Sequence, residues 1–184
     1  MPKVSEQHLE ARREQILDGA RRAFARYGYA GATVARLEEE VGLSRGAIFN
    51  YYANKWSLFL ALVERDRHRF HDVLVSEGMD GLLRQMTQES PDWLAVYFEL
   101  AHQLRTNPER RKDFEELAPE ESRRSKELFA SWQQEGRLRP DVDLDVLIQF
   151  YNVVANGMAL ATSFGLTLEL EPFLKLVHTG LDGQ

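Results

Sequence analysis

Apolar positions recur at steps of three and four along almost the whole chain, with polar residues filling the turns between them. Ile16, Leu17, Ala20, Ala23, Phe24 and Tyr27 mark a first helix, and Gly28 is placed to close it. Val34, Leu37 and Val41 mark a second, with Thr33 as its N-cap and Gly42 as a left-handed terminator. Ser44 repeats the capping logic about two residues further on. Two short helices around a tight glycine-containing turn predict a helix-turn-helix.

Asn54 can cap a fourth helix carrying Trp56, Leu58, Phe59, Leu62 and Val63, followed by a charged run and then Phe70, Val73 and Leu74. Beyond Gly78 the helical period continues through Leu82, Leu83 and Met86, then from Trp93 to Leu104, then from Phe114 to Trp132 with an interruption at Pro119. In "RLRPDVDLD", Pro140 stops one helix and the aspartates can cap the next. Leu170, Phe173, Leu174 and Val177 form a last amphipathic helix. No alternating strand pattern competes, so the chain reads as all-α with about nine helices.

One run changes the picture. Val146 to Leu168 contains no charged residue over 23 positions, long enough to raise a membrane span. Gln149, Asn152, Asn156, Gly157, Thr162, Ser163 and Gly165 argue against it, as does the lack of flanking Lys/Arg clusters. A helix apolar nearly all round is expected to be covered on more than one side, here by its own core and by a second subunit. Gly157 and Ala161 would let another helix approach closely.

Composition narrows the classes. A 184-residue chain that is 43% hydrophobic is globular, and the absence of cysteine excludes disulfides and thiolate metal sites. The N-terminus lacks an apolar leader, so a cytoplasmic location is expected. The net charge of −6 is uneven: residues 1 to 55 hold nine Lys/Arg against seven Asp/Glu, or +2, leaving −8 for the rest. His68 and His71 lie three apart without a third ligand, so no metal is expected, nor any other cofactor. The acidic stretch "EELAPEES" reads as a solvated helix face.

The chemistry concentrates in the third helix. Ile48 and Tyr52 share one face, while Gly46, Ala47 and Asn50 form a small, polar outer face that lets the backbone approach the floor of a major groove. Arg45 can offer a bidentate fork to guanine, and Asn50 can pair with adenine. Thr33, Ser44, Tyr51 and Lys55 stand at helix ends, where they suit phosphate.

Thr33, "LEEEVGLSRGAIFNYYANK" and "SLFLALV" resemble the N-terminal domain of TetR-family transcriptional regulators, over about residues 10 to 63. The resemblance implies a homodimer of all-α subunits, each with a three-helix DNA-binding head (1–53), then a helical effector-binding and dimerisation domain (54–184). Its last two long helices would build the interface. It places Arg45, Gly46, Ala47 and Asn50 against bases, and Thr33, Ser44, Phe49, Tyr51 and Lys55 against the backbone of double-stranded operator DNA. Phe49 departs from the usual Tyr and Tyr51 from the usual His; Phe49 has no hydroxyl for a phosphate, so packing is its expected role. "GATVARLEEEVGLSRGAIFNYYANKWSLFLALV" with "QLRTNP" is similar, more narrowly, to the aconitase-repressor branch.

A small-molecule effector would then release the protein from a palindromic operator. Trp93, Tyr97, Phe98, Phe150, Tyr151 and Asn156 are the candidate pocket residues, with His102 and Arg105 available to a carboxylate. The rival readings are an all-α enzyme, for which no nucleophile–base pairing or phosphate loop speaks, and a DNA-binding protein without an effector.

Overall fold

The computed structural model describes residues 6–117 and 119–181. Among the described residues nine α-helices follow one another: α1 (Glu6–Gly31), α2 (Val34–Val41), α3 (Arg45–Phe49), α4 (Lys55–Gln88), α5 (Pro91–Thr106), α6 (Pro108–Glu115), α7 (Pro119–Gln134), α8 (Leu144–Ser163) and α9 (Leu170–Leu181). Two of them contain breaks. Gly28 (φ 69°, ψ 168°) interrupts α1 where the first helix was expected to close, in a region essentially restricted to glycine. Gly78 breaks α4 in the same way. The expected interruption at Pro119 is present: α6 ends at Glu115, and Pro119 opens α7, where its missing N–H costs no hydrogen bond.

The chain divides into two compact units, Met1–Asp66 with Ala95–Leu117, and Arg67–Leu94 with Ala118–Gln184. The first contains the whole of the expected head and adds 54–66 and 95–117. Its core is Ile16, Leu17, Ala20, Ala23 and Phe24 from α1, Leu37 and Val41 from α2, Ile48 from α3, and Leu58, Phe59, Leu62 and Val63 from α4, all buried. Each large side chain among them contributes on the order of 1.5–3 kcal/mol through burial. Asp66, 2% exposed, is the exception that needs partners. The Arg21 guanidinium donates to it at 2.7 Å and the Tyr97 hydroxyl at 3.0 Å, so the buried charge is paired and hydrogen-bonded.

α2 lies unusually close to α1. A Cβ on Gly19 would sit 2.5 Å from Val41 Cα and 2.9 Å from the Glu40 carbonyl oxygen, so only glycine permits this approach. The same approach lets α1 side chains serve the otherwise unsatisfied last carbonyls of α2: Gln15 Nε2 donates to Val41 O (3.2 Å) and Arg22 Nη2 to Glu40 O (2.7 Å).

The second unit is built on Leu74, Leu82, Leu83, Met86, Trp93, Leu147, Met158, Leu174 and Val177, with the Phe129 ring against those of Trp132 and Tyr151. Asp143 caps α8 through Asp145 N–H (2.9 Å) and Val146 N–H (3.3 Å), as its place after Pro140 predicted. α8 is long and apolar enough to cross a membrane by length and composition, yet only 22% of its apolar window is buried within the chain. Val146, Phe150, Val153, Leu160 and Phe164 are exposed along it at alternating steps consistent with a heptad, Gly157 occupying the remaining position.

Because the atoms facing Gly19 are mostly backbone and cannot give way, Gly19→Ala should lower the unfolding free energy of the head by roughly 2–3 kcal/mol in a denaturant titration.

Candidate nucleic-acid interface

The helix-turn-helix is assembled from its caps. Thr33 Oγ1 accepts from Arg36 N–H and Ser44 Oγ from Ala47 N–H, both at 3.4 Å, and Gly42 ends α2 in the left-handed conformation (φ 72°, ψ 27°). A hydroxyl that accepts from a cap amide still holds its own proton, so Thr33 and Ser44 can cap a helix and donate to a phosphate at once. The first amide of α3 is already taken: Arg45 N–H donates to Glu38 Oε1 at 2.6 Å. Sequence reasoning missed this carboxylate, whose only trace is a glutamate seven residues ahead of Arg45.

α3 turns Ile48 inward and Gly46 outward as the wheel required, while Ala47 of the expected outer face is only half exposed. Ile48 is fully buried, whereas Ser44, Arg45, Gly46 and Asn50 are exposed and Ala47, Phe49 and Tyr51 are half-buried. A Cβ on Gly46 would meet nothing within 4 Å, so glycine there answers no requirement of the fold. The guanidinium of Arg45 and the phenol of Tyr51 make no hydrogen bond or ion pair among the described residues. The helix is shorter than expected, ending at Phe49. The Asn50 N–H points to both Gly46 O and Ile48 O, and Asn54 then opens α4 by exchanging bonds with Ser57 (2.9 and 3.0 Å). Tyr52 therefore lies in the turn.

The basic residues of the head separate by partner. Arg22 and Arg26 pair with Glu40 at 3.6 and 3.2 Å. Arg36, also absent from the expected contacts, is exposed one turn after Thr33; its guanidinium sits 4.3 Å from the Tyr27 ring and donates to Gly31 O at 2.9 Å. Lys55 is engaged inside the chain: its ammonium donates to Tyr29 O (2.8 Å) and Ala30 O (3.4 Å) and lies 4.6 Å from the Tyr29 ring. Burial, and then the nearby Arg110 guanidinium, lower its pKa from the ordinary lysine value. An ammonium has three donors, so one remains for an external anion.

The eight residues proposed for an effector pocket are not of one kind. Tyr97, Phe98, His102 and Arg105 fall in the first unit, and Trp93, Phe150, Tyr151 and Asn156 in the second. The Tyr97 hydroxyl is bound to Asp66, Phe98 is half-buried, Arg105 is exposed, and the His102 side chain lies outside the described residues. Trp93 and Tyr151 are buried. Phe150 belongs to the exposed stripe of α8, and Asn156, also exposed, donates to Asn152 O of its own helix (2.8 Å). The Tyr151 hydroxyl is buried without a hydrogen-bond partner among the described residues, and its pKa is raised by burial and then by the charge of Asp80. Asp80 bonds to His178 (2.6 Å) in the wall of a cleft of about 430 Å³ that also includes Glu77, Trp132 and Arg137. His68 and His71 each face a separate group, Glu121 (2.6 Å) and Ser125 (3.0 Å).

A short, capped helix with a small polar outer face and an unengaged arginine at its start, set against two others, defines a helix-turn-helix DNA-binding protein. The family model described as bacterial regulatory proteins, tetR family, matches residues 16–62. The chain is 43% identical over 167 residues to the HTH-type transcriptional repressor Rv1474c of Mycobacterium tuberculosis, covering 90% of this chain and 89% of that one. It is 41% identical over 188 residues to the HTH-type transcriptional repressor AcnR of Corynebacterium diphtheriae, covering 97% and 95%. Salmonella enterica GusR shares the fold with a TM-score of 0.74 at 19% identity, covering 97% of this chain and 98% of that one. The chain belongs to the tetR family of bacterial regulatory proteins, where it stands with the AcnR relative in the narrower branch its sequence resembles.

Gly46→Ala separates fold from recognition. Alanine in the first turn of α3 should keep or raise stability, by up to about 1 kcal/mol, while its methyl on the outer face weakens binding to a duplex selected by the wild-type protein. Denaturation and fluorescence anisotropy read the two effects; unchanged anisotropy would remove Gly46 from the interface.

Proposed function

We propose that this protein is a cytoplasmic transcriptional repressor that binds a palindromic operator as a homodimer and is released by a small molecule. The observation that carries the reading is the outer face of α3. Arg45 and Asn50 supply base-edge donors around Gly46 and Ala47, and Thr33, Ser44, Tyr51 and the remaining donor of Lys55 supply phosphate contacts. The names of the two relatives, both repressors, support the direction of control.

Dimerisation follows from α8. Its exposed stripe, with Leu176 of α9 at 72% exposure, would leave a broad apolar surface in water unless covered. A second copy suits it better than a membrane: the heptad spacing is that of a helix–helix seam, and Gly157, open on its outer side, permits close approach. Two α3 helices must then stand one DNA turn apart, roughly 34 Å, to read a palindrome. A ligand that binds better to a form with another spacing empties the operator. The buried, unpartnered hydroxyl of Tyr151 favours an effector in the second unit, because native proteins seldom leave such a group unsatisfied.

Mobility-shift titration with DNA from beside the protein's own gene tests the reading. Folded dimer that gives no specific shift at low salt would sink it. Val153→Glu, at the most exposed apolar position within α8 itself, should reduce the sedimenting species from twice the chain mass to 21.2 kDa. It should also weaken operator binding by more than about tenfold, because the two half-sites are no longer engaged together. A variant that remains dimeric would displace the interface from α8.

A further inference from the structure

The peptide groups on either side of Tyr29 are held by side chains from two other helices. The Tyr29 N–H donates to Glu99 Oε2 of α5 at 2.9 Å, and the Tyr29 carbonyl accepts from Lys55, the first residue of α4, at 2.8 Å. The held segment follows directly on the break at Gly28. The Glu99 carboxylate lies against that break: a Cβ on Gly28 would stand 2.6 Å from Oε1 and 3.0 Å from Oε2. The backbone conformation demands glycine here, and a Cβ would also push the Glu99 carboxylate from its present place.

More groups from residues 95–117 close around the corner. The Arg110 guanidinium lies 5.8 Å from the Tyr29 ring and 5.0 Å from the Trp56 ring, and the Trp56 indole N–H donates to Asp113 at 2.9 Å. The Tyr29 ring itself is buried against Phe24, Trp56 and Phe59. Only Ala30, Gly31 and Ala32 separate this anchor from Thr33, where the helix-turn-helix begins. The direction in which α2 and α3 leave α1 is therefore controlled at this corner.

We infer that Glu99 is a positioning residue for DNA reading: by holding the Tyr29 amide it sets the angle at which α2 and α3 depart from α1, making α5 a second handle on the head beside α4. The inference rests on the DNA-binding reading above. α5 runs without interruption from Pro91 to Thr106, across the boundary between the two compact units at Ala95. A displacement of this helix moves the carboxylate that holds the corner. Glu99 is itself exposed, so altering it does not empty a core.

Two substitutions in the full-length protein separate the hold from the charge. Glu99→Asp keeps the charge but withdraws the carboxylate by one methylene; Glu99→Gln keeps the reach and an acceptor oxygen but loses the charge. A duplex selected by the wild-type protein from a random library is compared with a scrambled duplex of the same length and composition. Glu99→Asp should lose roughly fivefold to tenfold of the wild-type preference, the size of one ordinary net hydrogen bond. Glu99→Gln should stay within about twofold, because its oxygen still reaches the amide. Both variants should remain dimeric with near-wild-type thermal midpoints. A Glu99→Asp protein that discriminates as well as wild type overturns the inference, and so does a Glu99→Gln protein that falls as far as Glu99→Asp. If the wild-type protein selects no duplex, the DNA-binding reading fails instead, and amide exchange at Tyr29 decides the hold. That exchange should be slow in wild type and Glu99→Gln and fast in Glu99→Asp; equal rates in all three overturn it.

Discussion

Helices of eight and five residues do not persist in water on their own, because nucleation costs more than so few hydrogen bonds return. α2 and α3 are of this length, and the part of the molecule that meets DNA depends on how their ends and inner faces are satisfied. Leu37, Val41 and Ile48 are anchored in the core of α1 and α4. The amides at the start of α2 and α3 donate to Thr33, Ser44 and Glu38, while Gln15 and Arg22 of α1 donate to the last carbonyls of α2. With the backbone ends engaged and the apolar faces buried, the outer face of α3 is free of any structural duty. The side chains of Arg45 and Asn50 and the bare Cα of Gly46 hold no other part of the fold among the described residues.

This division of labour explains how a chain of net charge −6 can address a polyanion. What matters is which charges are already answered. Glu40 balances Arg22 and Arg26, Asp66 balances Arg21, and Glu14 and Asp18 receive Arg65. Arg45 is left unengaged at the start of α3. The exposed pairs among these add little stability, while the Arg45 guanidinium keeps its charge unpaired among the described residues. Lys55 shows the converse: a lysine in a motif associated with phosphate contact is largely occupied with the carbonyls of Tyr29 and Ala30.

The head was legible because its signals are local. Thr33, Gly42, Ser44 and Asn54 act within three residues of themselves, so caps and turns could be read directly, and the 3.6-residue period placed Ile48 inside and Gly46 outside. The length of α3 was less legible. The wheel carried it to Tyr52, whereas α3 ends at Phe49 with Asn50 as its cap. The second unit was legible as helices and as a core, but not as a pocket. Tyr151 and Phe150 are adjacent and both aromatic, yet one is buried with an unpartnered hydroxyl and the other lies on an exposed stripe.

By itself the sequence determined the helical class, the helix-turn-helix, the identity of its exposed face and the long uncharged helix near the C-terminus. Each of these follows from spacing and capping along a single helix. Only the tertiary structure decided that Glu38 caps Arg45, that Gly19 admits α2 against α1, and that Glu99 and Lys55 grip the backbone at Tyr29. The Glu99 contact joins residues 70 positions apart. A carboxylate or an ammonium carries no mark in the sequence of which distant backbone group it will satisfy; that is settled by which helices the buried apolar faces bring together.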